Sequence, residues 1–230
     1  MMIHRILPLV GLQLLFSAAG SAKEIEELGI VRIRTETSDA QAHAYSTGTH
    51  LGNGLILTCG HCAASMTKDR TVEVQILSAL TWKAVRKVRG TIIHSDRAAE
   101  LGLIRLAAGH GLKAGFELAP RGYRVVPGDT VVSYNWYRDD HGEMLYSVTS
   151  HVTHVNRYLG AENIETSGRP EAGSSGAPLV TKRGGLVIGI THGALVHEDR
   201  GLHTSVEALY RFMDRQGSHA QEAVRITEKF

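Results

Sequence analysis

The chain has 230 residues, 43% hydrophobic and 21% charged, proportions that support a buried core and exclude a disordered or fibrous chain. Its formal charge of +2 at pH 7 offers no field that would draw in nucleic acid or an anionic membrane surface. Glycine, at 25 residues against 5 prolines and 6% aromatics, exceeds the usual share of about 7% and favours tight turns over long helices, which leans towards an all-β chain.

Residues 1–22 read as an export signal. Arg5 precedes the apolar stretch Ile6 to Phe16, and small residues follow, with Gly20 and Ala22 at the −3 and −1 positions of a cleavage site. The apolar run falls short of the ~20 residues that span a bilayer. The expected product begins near Lys23, is secreted or periplasmic, and has no membrane contact after cleavage.

Ile30 to Arg34 alternates as a half-buried strand does, and Gly54 to Thr58 is a short apolar run bounded by glycine. Similar runs recur at Val72–Leu77, Ala84–Ile93, Leu101–Leu106, Val131–Tyr134, Ser147–Val155, Leu179–Thr181 and Leu186–Ile190, the spacing of a barrel or sandwich. The aperiodic stretch Ala107 to Pro120 reads as a crossing between a first unit, 23–112, and a second, 113–217. Thr204-Ser205-Val206-Glu207 fits a capping box, and Val206, Leu209, Phe212 and Met213 share the face of one late helix. Residues 218–230 form a tail.

Three segments carry chemistry. Gly173-Ser174-Ser175-Gly176-Ala177-Pro178 can turn tightly enough to expose a serine hydroxyl beside backbone N–H groups that would hold an oxyanion, although a plain Gly/Ser turn has the same composition. In Leu57-Thr58-Cys59-Gly60-His61-Cys62, His61 directly follows an apolar strand and can exchange a proton near neutral pH. Its position sets it apart from His43, His94, His110, His141 and His219, which are expected in solvated loops. Glu100 opens the apolar strand Leu101 to Leu106.

In the order His, acid, Ser, these segments resemble the trypsin-like (chymotrypsin-fold) serine peptidases, especially compact bacterial secreted ones, over about Ile30 to Phe212. The resemblance implies two packed antiparallel six-stranded β-barrels with a C-terminal α-helix, a polypeptide substrate, and no metal or organic cofactor. It implies His61 as general base, Glu100 in the place of the family's aspartate and Ser175 as nucleophile, with the N–H groups of Gly173 and Ser175 as oxyanion hole. Asp96 is the other candidate acid. Ser174 stands where digestive members have an aspartate that pairs with a newly cut N-terminus, so activation by that ion pair is not expected. The family's specificity pocket maps to 167–172 and 189–193, where Arg169 and His192, beside Thr191, could favour an acidic residue in the substrate or simply face solvent and pack. Activity is expected to fall as pH drops through the pKa of His61, with a limb between about pH 5 and 8.

Two other readings stay open. Cys59-Gly60-His61-Cys62 is also a C-x-x-C motif of thiol–disulfide oxidoreductases, but no βαβ pattern surrounds it. Cys59 and Cys62 are the only cysteines and could close a small disulfide or stay free; a zinc site from them lacks the paired spacing of a structural finger. The third reading is the same fold with an impaired triad, binding peptides or a partner protein. Oligomeric state is not legible.

Overall fold

The computed structural model describes residues 29–36, 43–65, 70–77, 84–113, 115–139, 142–158 and 160–216. The expected signal segment and tail lie outside them. Among the described residues, twelve strands and two α-helices follow in order: β1 (Ile30–Glu36), β2 (His43–His50), β3 (Leu55–Thr58), α1 (Gly60–Ser65), β4 (Thr71–Leu77), β5 (Ala84–Asp96), β6 (Leu101–Leu106), β7 (Thr130–Asp139), β8 (Gly142–Tyr158), β9 (Ala161–Ser167), β10 (Pro178–Thr181), β11 (Val187–Leu195), β12 (Arg200–Ser205) and α2 (Val206–Arg215). Strands β1-β2-β3-β6-β5-β4 close one barrel, and β10-β11-β12-β9-β8-β7 close a second, with every pairing within them antiparallel. Closure leaves no free sheet edge.

The apolar run Leu55-Ile56-Leu57 is continuous because both faces of β3 are covered. Ile56 packs inside the first barrel with Val31, Ile33, Val74 and Ile104. Leu55 and Leu57 point the other way, into a cluster that includes Leu101 and Leu103 from β6 and Ile164, Leu179 and Phe212 from the second half. The two barrels thus share an apolar interface. The crossing is tied to both: Phe116 N–H donates to the His50 carbonyl at 2.7 Å, and Ala119 N–H to that of Val187 at 2.9 Å.

Three strands escaped the sequence reading: β2, β9 and β12. Their segments are polar, yet Thr47, Thr49, His50, Asn163 and Thr204 are fully buried. So did α1, a single short helix on the turn before β6. The late helix is present, but its N-cap is Ser205 rather than Thr204: Ala208 N–H donates to Ser205 Oγ at 3.3 Å. The histidine expectation also needs correction. His94 lies within β5 and is half-buried, and His110 packs edge-on against buried His50; the side chains of His43, His141 and His219 lie outside the described residues.

Candidate active site

His61 sits in the first turn of α1, immediately after β3. Gly60 is required there by space: a Cβ would strike the Asp96 carbonyl and approach Leu101 N at 2.8 Å and the Glu100 Cα at 2.9 Å. Only glycine lets the helix settle on the turn that leads into β6. The same turn holds Glu100 in a left-handed backbone conformation, φ 53°, which for a residue with a side chain costs about 1–3 kcal/mol and marks functional sites.

That close approach brings the acid to the imidazole. Glu100 Oε2 lies 2.8 Å from His61 Nδ1 and also accepts the His61 backbone N–H at 3.0 Å. One oxygen therefore fixes both the ring and its main chain. Burial raises the Glu100 pKa, but the His61 contacts outweigh it and hold the carboxyl below its usual range. Asp96 is engaged elsewhere, accepting Ala99 N–H at 2.9 Å and Arg215 at 2.8 Å.

Ser175 stands in the loop before β10, half-buried, and is anchored on the first barrel through β2. Its carbonyl accepts Thr47 N–H at 2.8 Å, and Thr49 Oγ1 donates to the Gly176 carbonyl at 3.0 Å. Gly176, φ 94°, sits so close that a Cβ would strike the Thr47 carbonyl and come within 2.5 Å of Thr58 Oγ1. Thr58 ends the strand that delivers His61, and it donates to that same Thr47 carbonyl at 2.9 Å. The serine loop and the histidine strand are thereby stitched to one residue, Thr47.

The loop's amides alternate in use. Ser174 N–H donates to Glu171, Gly176 N–H to Thr191 and Ala177 N–H to Ser174. Among the described residues, the N–H groups of Gly173 and Ser175 have no such acceptor, as a site for a developing oxyanion requires. Behind them, Trp136 Nε1 donates to Thr47 Oγ1 at 2.8 Å, which donates to the Gly173 carbonyl at 2.7 Å. Ser174 is fully buried, its Oγ accepting Trp136 N–H at 3.4 Å; a neutral bond fills the place of the activation ion pair. Thr47 and Trp136 are positioning residues that no sequence pattern flagged.

The three residues expected at the specificity pocket part company. Arg169 is exposed, and its backbone N–H alone meets Asp199, at 3.3 Å. Thr191 is buried with Oγ1 3.0 Å from His203 Nδ1, and Thr166 Oγ1 lies 2.9 Å from the other ring nitrogen. Burial pushes the His203 pKa down to about 3 and that of His192 down to about 4. His192 Nε2 lies 3.1 Å from Asn163 Oδ1, on the rim of a cleft of about 480 Å³ that also touches Glu100, Arg97, Tyr158 and Leu202. Both imidazoles are neutral at pH 7. Of the two alternatives, the uncharged, packed one fits His192, and Arg169 is exposed.

Both cysteines are free thiols, and both crowd the imidazole. Cys59 Sγ, fully buried, lies 3.6 Å from His61 Nε2. The Cys62 thiol, and after it the Glu100 carboxylate, raise the His61 pKa against burial to about 10. Cys59 hydrogen bonding, then His61, lower that of Cys62 to about 5 despite its burial. The two shifts together favour a thiolate facing an imidazolium. A protonated ring cannot accept a proton, so the acid limb of any His61-dependent reaction moves above the expected pH 5–8 window. Activity rises as pH climbs towards about 10, and Cys62→Ser, by removing the largest cause, brings the limb back towards neutrality. Activity at pH 7 then increases roughly ten-fold or more, since each unit of pKa is a factor of ten in neutral base. A pH–rate profile of the two proteins checks this.

The model of the trypsin-like peptidase domain family matches residues 46–190. No curated protein matches. Among solved structures, the active form of the Mycobacterium tuberculosis protease Rv3671c is similar over 95% of this chain and 94% of that one, at 17% identity and TM-score 0.68. An inactive form of the same protease covers 87% and 95%, at 15% and 0.66. The serine endoprotease from Yersinia pestis is matched over 89% of this chain and 68% of its own, at 16% and 0.65. These likenesses show the two-barrel fold.

Proposed function

Since the chain belongs to the trypsin-like peptidase family, we propose that it is a secreted serine endopeptidase working through an acyl-enzyme, with Ser175 as nucleophile, His61 as base and Glu100 as the acid that orients the ring. The observation that carries this reading is the bond of 2.8 Å between Glu100 Oε2 and His61 Nδ1. It leaves Nε2, which Cys59 Sγ approaches at 3.6 Å, as the ring nitrogen to take the serine proton.

In acylation, neutral His61 removes the Ser175 proton as Oγ attacks the substrate carbonyl. The charge that develops on the carbonyl oxygen faces the unspent N–H groups of Gly173 and Ser175. The imidazolium then protonates the leaving amine, and water, activated by the same ring, releases the acid product. Glutamate in place of aspartate is accommodated because the left-handed turn at Glu100 sets the longer side chain beside α1. Neutral His192, on β11 beside β10, is polar and uncharged, which argues against selection by charge at that point.

The test is hydrolysis of an unfolded protein such as reduced casein, followed across pH 6–10. New peptide termini that appear with wild-type protein and not with Ser175→Ala support the reading. Their absence at every pH leaves the peptide-binding alternative. Insulin reduction dependent on Cys59 would instead favour the thiol–disulfide reading.

A further inference from the structure

Acyl transfer does not require the two thiols beside His61. Cys59 Sγ, Cys62 Sγ and a His61 ring nitrogen lie within 4.8 Å of one another. The Cys59 Sγ to His61 Nε2 separation is 3.6 Å, and a tetrahedral zinc ion with Zn–S near 2.3 Å and Zn–N near 2.0–2.1 Å sets its S and N donors about 3.6 Å apart. The opposite ring nitrogen is bonded to Glu100 at 2.8 Å, the carboxylate–histidine arrangement that fixes a ligating imidazole. A fourth group points the same way. Ser46 Oγ, in a residue 2% exposed, lies against the Cys62 thiol as its hydrogen-bonding neighbour, a polar contact of the kind that supports a ligating sulfur.

We infer that Cys59, Cys62 and His61 form a three-ligand site for a thiophilic divalent cation, zinc above all, and that the bound ion switches the peptidase off by occupying the nitrogen that serves as base. The peptidase consequence rests on the function proposed above; the site itself does not. The exchange is redox-neutral. Two sulfur–metal bonds and one nitrogen–metal bond form, the metal loses water ligands, and any protons still held by the two thiols and by Nε2 pass to solvent. The C-x-x-C spacing puts Cys59 immediately before α1 and Cys62 in its first turn, with His61 between them. A closed structural finger would need a second ligand pair; an inhibitory site needs only three donors and an open position for water.

Cobalt(II) is the probe for the site and zinc for its consequence. The purified chain, without a polyhistidine tag and kept reduced with a phosphine, should take up one equivalent of cobalt(II). Thiolate-to-metal absorption in the near ultraviolet and tetrahedral d–d bands in the visible should appear together. Cys62→Ser, at a half-buried position that tolerates a hydroxyl, should lose most of the thiolate band and bind at least ten-fold more weakly; Cys59→Ala should do the same. Stoichiometric zinc should abolish peptide hydrolysis, a chelator should restore it, and Cys62→Ser, compared with its own metal-free rate, should resist. Cobalt spectra without thiolate bands, or bands that survive Cys62→Ser, would overturn the site. Tight binding with unchanged hydrolysis would overturn the switch. Should the protein hydrolyse nothing, the cobalt arm still decides the site, so failure of the peptidase reading is distinguishable from failure of this one.

Discussion

Ser175→Ala is expected to lower kcat by about 10⁶-fold, with KM little changed, because losing the nucleophile of a triad removes covalent catalysis and leaves only the oxyanion donors and substrate binding. The fold should survive. The Ser175 carbonyl, not its hydroxyl, bonds to Thr47, and Gly176 keeps the loop pressed against Thr47 and Thr58. Far-ultraviolet circular dichroism and a thermal midpoint close to that of the wild type should therefore accompany the loss. Residual hydrolysis in that variant, if any, should be independent of His61. Kinetics of a chromogenic peptide at a pH where the wild-type ring is neutral give the cleanest comparison.

Glu100→Gln is the second large effect, a loss of about 10⁴-fold in kcat, the size that accompanies a wrong imidazole tautomer in triads of this kind. The carboxylate oxygen accepts from the His61 ring at 2.8 Å and from the His61 backbone at 3.0 Å. An amide can still accept the backbone N–H, but it turns a donor towards Nδ1 or drops the negative charge that supports the imidazolium. The ring pKa should fall at the same time, since Glu100 is the second cause of its elevation after Cys62. A combined readout separates the two consequences: the plateau rate collapses while the pH limb moves down. Asp96→Asn should do neither, because Asp96 is committed to Arg215 and Ala99.

What could be read from the sequence divides along physical lines. The closeness of Glu100 and His61 could be anticipated because an acid opens one largely apolar strand, β6, and a histidine soon follows another, β3. The serine loop was legible by its glycines. Strand β2 was not, because His43-Ala44-Tyr45-Ser46-Thr47-Gly48-Thr49-His50 has the polarity of a loop. Its hydroxyls are buried by bonds to a loop more than a hundred residues away, Thr47 to Gly173 and Thr49 to Gly176, and hydrophobic periodicity carries no trace of such partners. Strand β12 hides for the same reason: His203 is satisfied by Thr166 and Thr191. Whether His192 carries charge was left open by the sequence because burial, which decides whether an imidazole is charged, is a property of the fold. The C-x-x-C spacing showed two thiols on one turn, but not that both would press on the ring between them.

The central claim is that a single hydroxyl, on Ser175, is the activated nucleophile. The most direct measurement is the reaction of the purified protein with a fluorophosphonate at about pH 9, where neutral imidazole is available, followed by peptide mapping of the adduct by mass spectrometry. One equivalent on Ser175, lost in His61→Ala, is the predicted result; an unlabelled Ser175, or an adduct on any other residue, would contradict it.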